Sequence, residues 1–210
     1  KVLGVYRIND DILTNRQDKI FYKILKKTIS KYDLIIVSDY GHGLISKRVS
    51  NLICKLSKYL AVNAQVNAAN RGYHSMRNYK NVDCVIINET EMKHELRDRN
   101  GKNEVLMKRL SYEQNIKNLV VTRGDQPSIL FNKKTKKFNF CDAFAKTAVD
   151  KIGAGDAMLT VIALCLNSGF DKDLSLLIGS LAGAHSVNTM GNKESINKTQ
   201  ILKSLENILK

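Results

Sequence analysis

Short apolar runs alternate with segments of helical periodicity along most of the chain, and this alternation constrains the fold more strongly than any other feature. Residues 33–38, 60–66 and 82–87 are apolar runs bounded by polar residues, which is typical of buried parallel strands. Residues 17–31 and 47–59 instead place apolar side chains along one helical face. In the first of these helices that face consists of Ile20, Phe21, Ile24, Leu25 and Ile29. Units repeated in this order predict an α/β fold of three layers, with a mostly parallel sheet covered by helices on both faces.

Beyond residue 100 the pattern predicts a hairpin and then only helices. Residues 104–115 predict a helix and residues 119–122 a strand, and residues 128–132 and 136–140 predict an antiparallel hairpin around a lysine-rich tip. The last three predicted helices are 155–167, 174–187 and 201–209. The economical interpretation is one domain over residues 1–210. The first residue is not methionine, so we expect the N-terminus to be cut inside a longer protein.

Composition argues against several other classes of protein. The longest apolar run, residues 157–166, is half the length of roughly 20 residues that a membrane-spanning helix needs. The four cysteines are widely spaced and form no Cys-x-x-Cys pair, so we expect no disulfide or metal cluster and a cytoplasmic location. A net charge of +14 would attract nucleic acid, but the lysines are scattered and the one dense run, residues 133–137, lies at the predicted hairpin tip. Nucleic-acid binding is therefore kept only as an alternative.

The segment most informative about chemistry is residues 149–157, which read Val-Asp-Lys-Ile-Gly-Ala-Gly-Asp-Ala. Small residues here open a predicted helix, where unpaired backbone N–H groups and the helix dipole favour an anion. Glycine lets a phosphate approach this backbone closely. Asp156 follows at once, placed to accept a proton from a hydroxyl that attacks the bound phosphate. The alternative is an ordinary helix start in which Asp156 complements the dipole, and the segment alone leaves both open.

This segment resembles the C-terminal signature of the PfkB/ribokinase family of carbohydrate kinases, whose core is Gly-Ala-Gly-Asp. The resemblance implies that the backbone amides of Gly153, Ala154 and Gly155 stabilise charge on the transferred phosphoryl group. It further implies that Asp156 is the general base. The chain departs from the family at Lys151, where threonine is frequent. No Walker-type Gly-x-x-x-x-Gly-Lys-[Ser/Thr] motif is present, which excludes a P-loop kinase.

Two further segments resemble the family's nucleotide and metal elements. Residues 120–125 read as a strand that ends in a glycine turn, and the resemblance implies that Thr122 and Gly124 lie near the phosphates and ribose of ATP. The family usually has another glycine shortly afterwards, where this chain has Pro127. Late in the chain, the resemblance makes Asn188 a candidate nucleotide contact.

Residues 88–91, Asn-Glu-Thr-Glu, match the family's Asn-x-x-Glu motif. The resemblance implies that Asn88 lies on the cofactor side and that Glu91 organises water bound to Mg²⁺. A single carboxylate is enough for this task, because Mg²⁺ usually keeps several of its waters. The alternative is a helix cap, with Asn88 as N-cap and Glu91 completing a capping box, and the two readings are compatible.

The acceptor side is predicted from residues that follow strands. Residues 37–44 resemble the Asp-Tyr-x-x-Gly segment of the heptose-phosphate kinase branch of the family. Ligands of open parallel sheets bind at the carboxyl ends of the strands, so Asp39 and His42 are expected to face the cleft. A loop histidine without a catalytic part is the preferred reading of His42. Asn67 is a further candidate for acceptor binding.

The resemblance implies a kinase that uses ATP and Mg²⁺ to phosphorylate a hydroxyl of a small sugar or sugar phosphate. It also implies that the chain is the C-terminal portion of such a domain, with the lid largely absent. Two alternatives stay open: a nucleoside kinase of the same fold, and a non-catalytic nucleotide-binding or regulatory module. We expect no membrane partner. Family members often pair through the lid, so a homodimer of the full-length protein is also left open.

Overall fold

The computed structural model describes residues 11–65, 75–145, 153–188 and 195–209. Within these ranges the strands are β1 Ile35–Asp39, β2 Leu60–Ala64, β3 Cys84–Asn88, β4 Asn118–Arg123, β5 Gln126–Asn132 and β6 Lys137–Cys141. The α-helices are α1 Asn15–Thr28, α2 Lys47–Leu56, α3 Glu89–Glu95, α4 Asn103–Gln114, α5 Ala154–Asn167, α6 Lys172–Val187 and α7 Lys198–Leu209. Short 3-10 helices cover Ile29–Lys31 and Met76–Asn78.

The strands form a single sheet in the order β1-β2-β3-β4-β5-β6. Strands β1 to β4 are parallel, whereas β5 and β6 are antiparallel to their neighbours and are joined by the predicted lysine-rich turn. This arrangement confirms the predicted mostly parallel sheet. The carboxyl ends of the four parallel strands therefore lie along one edge of the molecule. No helix in the described ranges is both long and apolar enough to cross a membrane.

Both faces of the sheet are covered, because side chains that follow one another along a strand point to opposite faces. On β2, Val62 belongs to the core that packs under α1 to α4, whereas Ala61 belongs to the core under α5 and α6. Val85 and Ile86 divide between the same two cores on β3. Each face of the central strands is thus buried, as the apolar runs predicted.

One prediction of burial is wrong at the β1 side of the sheet. Residues 33–38 were predicted to be a buried strand, but β1 is the outermost described strand and Ile36 on it is 37% exposed. On α1, Ile20 and Ile24 are more than half exposed. The helix contacts the core through the neighbouring row of Phe21, Leu25 and Ile29 instead. The apolar face of α1 is wider than its contact with the core, so the residues on one side of that face stay in solvent.

Candidate active site

The N-terminus of α5 lies over the carboxyl ends of the parallel strands. Gly153 precedes the helix with φ of +84°, a left-handed conformation that strains any other residue. The first backbone hydrogen bond of α5 runs from the N–H of Ala157 to the carbonyl of Gly153. The amides of residues 154–156 precede that bond, and no side chain within the described ranges caps them. The helix start thus has the unpaired donors and positive potential that an anion requires.

Asp156 lies in the first turn of α5 and is half-buried. Its two carboxylate oxygens are held from β1 and the residue after it: the Ser38 hydroxyl donates to Oδ1 at 2.6 Å, and the Tyr40 phenol donates to Oδ2 at 2.6 Å. The hydrogen bond to Asp156, followed by partial burial, raises the pKa of Tyr40 above its ordinary value. The phenol therefore stays protonated and keeps its role as a donor. The acid of the glycine motif is fixed to the end of a strand that lies far away in sequence.

Asn63 on β2 is the second side chain that meets this helix start. It is paired in register with Ser38 and is only 5% exposed. A Cβ atom added at Gly155 would lie 3.5 Å from its Nδ2, so the carboxamide lies directly beside the glycine turn. Its Oδ1 is buried and has no hydrogen-bond partner among the described residues. Such an oxygen costs free energy unless a donor reaches it, so this position fits a ligand with hydrogen-bond donors.

Asp39 lies next to Ser38 on β1 and therefore on the other face of the sheet. It is 7% exposed, and its carboxylate accepts hydrogen bonds from the Tyr79 hydroxyl at 2.5 Å and from the Gly41 N–H at 3.0 Å. Burial, with the nearby Asp39 charge, raises the pKa of Tyr79 and keeps its hydroxyl a donor. The structure does not bring Asp39 together with Asp156, so its predicted contact with the acceptor remains without support here.

The loop after β1 carries the other predicted acceptor residue of this region. Gly41 and Gly43 both have positive φ, and the turn between them places the His42 ring parallel to that of Tyr40, with 6.4 Å between the centroids. His42 therefore lies against the outer side of the Asp156 cluster, next to the Tyr40 ring. Asn67 and Lys151 lie outside the described residues.

The capping geometry predicted at the end of β3 is confirmed. Asn88 Oδ1 accepts from the Glu91 N–H at 2.8 Å, and Glu91 Oε2 accepts from the Asn88 N–H at 3.1 Å. Asn88 is opposite Thr122 in the parallel register of β3 and β4. Asn88 lies two residues after Ile86 on β3, and Thr122 lies two residues after Val120 on β4. Ile86 and Val120 belong to the core under α5, so Asn88 and Thr122 are on that same face of the sheet. The two predicted nucleotide-side residues are thus brought together on the face where α5 begins.

The turn after β4 is positioned by an ion pair. Arg123 Nε lies 3.0 Å from Glu89 Oε2 at the start of α3, which ties the end of β4 to that helix. The pKa of Glu89 is lowered, mainly by its hydrogen bond to Lys93 and also by Arg123. Gly124 follows with φ of +67° and has open space where a side chain would be. The predicted phosphate-side turn is therefore an exposed turn at the same edge of the sheet as Asn88.

Helix α6 packs closely against α5. A Cβ atom added at Gly179 would come 2.2 Å from Ile162, and one added at Gly183 would lie 3.7 Å from the carbonyl oxygen of Ala154. The small residues of α6 therefore serve helix packing, the reading that the sequence favoured. Asn188 is the C-cap of α6 and its N–H donates to the carbonyl of His185. Since Gly183 contacts the start of α5, the end of α6 lies on the same side of the molecule as the glycine turn.

A family model described as "pfkB family carbohydrate kinase" matches residues 12–199. The chain belongs to this family. Bifunctional protein HldE of Campylobacter fetus is 24% identical to it over 192 residues, which cover 90% of this chain but only 38% of that protein. That residues 1–210 form one domain remains a prediction.

Solved structures of PfkB and ribokinase type share the fold. Ribokinase of Thermotoga maritima superimposes with a TM-score of 0.65 at 20% identity, over 87% of this chain and 59% of that one. Ribokinase of Arabidopsis thaliana, solved with ribose and ATP, gives a TM-score of 0.67 at 17% identity, over 93% and 60% of the two chains. The chain thus spans about three fifths of the length of these two ribokinases.

Sequence reasoning missed three side chains that contact the glycine motif: Ser38, Tyr40 and Asn63. Ser38 and Tyr40 flank the predicted Asp39, so strand alternation would have placed them together on the opposite face. Asn63 is a polar residue inside an otherwise apolar strand, and this is the signal by which it could have been found.

Proposed function

We propose that the protein is an ATP-dependent kinase that transfers the γ-phosphoryl group to a hydroxyl of a sugar or sugar phosphate. The observation that carries this proposal is the arrangement at the start of α5. There a half-buried carboxylate, Asp156, stands in the same helical turn as backbone amides that no described side chain caps. Phosphoryl transfer needs both elements: donors that stabilise negative charge and a base for the attacking hydroxyl.

Asp156 accepts the proton of the acceptor hydroxyl while that oxygen forms a bond to the γ-phosphorus. The bond between the γ-phosphorus and the bridging oxygen breaks, and ADP leaves with the electron pair. The amides of Gly153, Ala154 and Gly155 donate to the phosphoryl oxygens, where charge develops. Their fixed position at the helix start means that they need no reorganisation during the reaction.

On the nucleotide side, Thr122 and Gly124 are the proposed contacts to the phosphates and ribose of ATP. Asn88 pairs with Thr122 across β3 and β4, which supports a shared site. Asn188, at the end of α6, is proposed to contact the nucleotide from the other side of the glycine turn.

Glu91 is the proposed ligand side chain for Mg²⁺, acting through bound water. Its carboxylate stands at the carboxyl end of β3 beside Asn88, and oxygen donors of this kind suit a hard cation. Bound Mg²⁺ would neutralise part of the charge on the phosphates.

A sugar or sugar phosphate is proposed as acceptor because the relatives include HldE proteins and a protein named as a sugar kinase. The solved ribokinase that contains ribose and ATP supports the same class. The carboxyl ends of β1 and β2 would carry the acceptor, and Asn67 stays among the proposed contacts. Asp39 is the weakest of these proposals, since its carboxylate is buried against Tyr79.

The experiment is a panel of sugars, sugar phosphates and nucleosides, assayed by ADP formation with the full-length protein. We expect phosphorylation of a sugar or sugar phosphate, and turnover lower by a factor of about 10² or more in Asp156→Asn. The matched control is Asp173→Asn, since Asp173 is also the acid in the first turn of a helix, α6. Transfer to nucleosides alone would overturn the acceptor class. Binding of ATP without transfer to any acceptor would instead indicate a non-catalytic module.

A further inference from the structure

The two hydroxyls that hold Asp156 differ in how firmly they are themselves held. Ser38 is inside β1 and in register with Asn63 on β2, so the sheet fixes its backbone, although the residue is exposed. Tyr40 lies beyond the end of β1 and is 41% exposed. Both hydrogen bonds nevertheless have the same short length, 2.6 Å. One oxygen of the carboxylate is thus bound by a donor within the sheet and the other by a donor beyond the end of its strand.

A hydrogen bond of the next residue anchors the backbone beside Tyr40. The Gly41 N–H donates to the buried Asp39 carboxylate, which Tyr79 holds from the core. The Tyr40 ring is stacked on His42 and faces solvent in part. Rotation of the side chain about its own bonds would release Asp156 Oδ2 without any change in β1.

The Tyr40 phenol makes the same kind of hydrogen bond to Asp156 that an acceptor hydroxyl would have to make. A hydroxyl that loses its proton to Asp156 must first donate a hydrogen bond to one carboxylate oxygen, at about 2.6–3.2 Å. Ser38 and Tyr40 donate to both oxygens, and the raised pKa of Tyr40 keeps its phenol protonated. Each carboxylate oxygen can accept a second hydrogen bond, so an acceptor hydroxyl either joins these donors or replaces one of them.

We propose that Tyr40 is a displaceable latch on the base, whereas Ser38 is a positioning residue that stays in place; this inference rests on the proposed function. The phenol occupies Oδ2 until the acceptor hydroxyl takes its place. The latch also protects ATP from water. Hydrolysis would need a water molecule to give its proton to Asp156 while its oxygen bonds to the γ-phosphorus and ADP leaves. A small, weakly bound water displaces the phenol less effectively than an acceptor held by further contacts.

The test compares Tyr40→Phe, Ser38→Ala and the control Tyr112→Phe, which alters an exposed tyrosine on α4. ATP hydrolysis without acceptor, kcat and the KM for the acceptor are measured for each in the full-length protein. In Tyr40→Phe we expect hydrolysis to rise about tenfold and KM to fall several-fold, since one hydrogen bond to a charged group is lost. In Ser38→Ala we expect kcat to fall about tenfold with KM little changed, because the base loses its orientation.

The result that overturns the latch is a Tyr40→Phe protein with unchanged hydrolysis and KM, or with the same loss of kcat as Ser38→Ala. Tyr40→Leu repeats the measurement without the ring, so that a packing effect is separated from loss of the hydroxyl. Asp156→Asn is added to each variant. Extra hydrolysis that survives Asp156→Asn also overturns the latch, because it does not pass through the base. Native transfer by Asp156→Asn itself would contradict the proposed function rather than the latch alone.

Discussion

The two sides of the candidate site are built differently. On the β1 side, Asp156 is held by hydroxyls that lie 118 and 116 residues away in sequence. On the β3–β4 side, Asn88 and Glu91 hold each other across three residues, in a capping box. Local geometry thus forms the nucleotide side, whereas the base is positioned only when α5 docks on the sheet. Substitutions on the β1 side should therefore affect chemistry, and those on the β3 side should affect metal and nucleotide binding.

The largest effect is expected from Gly153→Ala, which places a side chain at a φ of +84° directly before the proposed anion-binding amides. We expect kcat/KM to fall by about 10² or more, the scale of losing a preorganised donor. The control is Gly169→Ala, which has a φ of +85° and open space after α5. Both variants should lose about 1 kcal/mol of unfolding free energy. Equal activity in the two would remove the special role of Gly153.

The next effect is expected from Asn63→Leu, which replaces the carboxamide beside the glycine turn by a side chain of similar shape. Its Oδ1 has no partner among the described residues, so the free energy of unfolding should stay the same or rise. Activity should fall about tenfold or more if that carboxamide contacts the ligand.

Asn118→Leu is the matched control for this substitution. Asn118 is also buried on a strand, but it donates to the carbonyl of Asp83 and accepts from Asn132. Its replacement should lower the unfolding free energy by about 1–3 kcal/mol and leave the activity of the folded protein unchanged. Both quantities are read from chemical denaturation and initial rates. The opposite pattern in the two variants would make Asn63 a purely structural residue.

A smaller effect is expected from Glu91→Gln, because glutamine can still complete the capping box with Asn88. Stability should change by no more than about 0.5 kcal/mol. The Mg²⁺ concentration for half-maximal activity should rise about tenfold, since a charged oxygen near the proposed ion is lost. Titration of activity with Mg²⁺ checks this, and an unchanged requirement would leave Glu91 with its capping role alone.

The smallest effect on activity is expected from Tyr79→Phe. The buried Asp39 carboxylate loses one hydrogen-bond donor, which should lower the unfolding free energy by about 1–3 kcal/mol. Asp156 lies on the other face of the sheet, so kcat of the folded protein should be nearly unchanged. A large loss of kcat measured well below the melting temperature would show that Asp39 acts in the site after all.

The comparison of the two sides also explains what could be predicted from sequence. Apolar runs and helical periodicity are local signals, and they located the strands, the β5–β6 hairpin and the helices to within a few residues. The capping box at Asn88 and the glycine-rich start of α5 are local as well. The contacts of Ser38 and Tyr40 with Asp156 depend on how distant segments dock. No local sequence pattern predicts these contacts.

One error and one untested prediction concern the same strand, β1. Ile36 was expected to be buried because an apolar run does not reveal whether its strand lies inside the sheet or at the edge of the described strands. Asp39 is expected in the cleft because ligands bind at the carboxyl ends of parallel strands, and its role there stays a prediction. Which of two adjacent side chains faces the cleft depends on strand parity, and parity was fixed only by the packing of Val37 into the core under α1 to α4.

The most direct test of the account is single-turnover phosphoryl transfer by Asp156→Asn at saturating ATP, with ATP affinity measured separately by calorimetry. Single-turnover conditions separate the chemical step from product release. The account predicts transfer slower by about 10² or more, with ATP affinity changed by no more than about threefold. Transfer at the wild-type rate, in a variant that binds ATP normally, would contradict the assignment of the base and with it the proposed site.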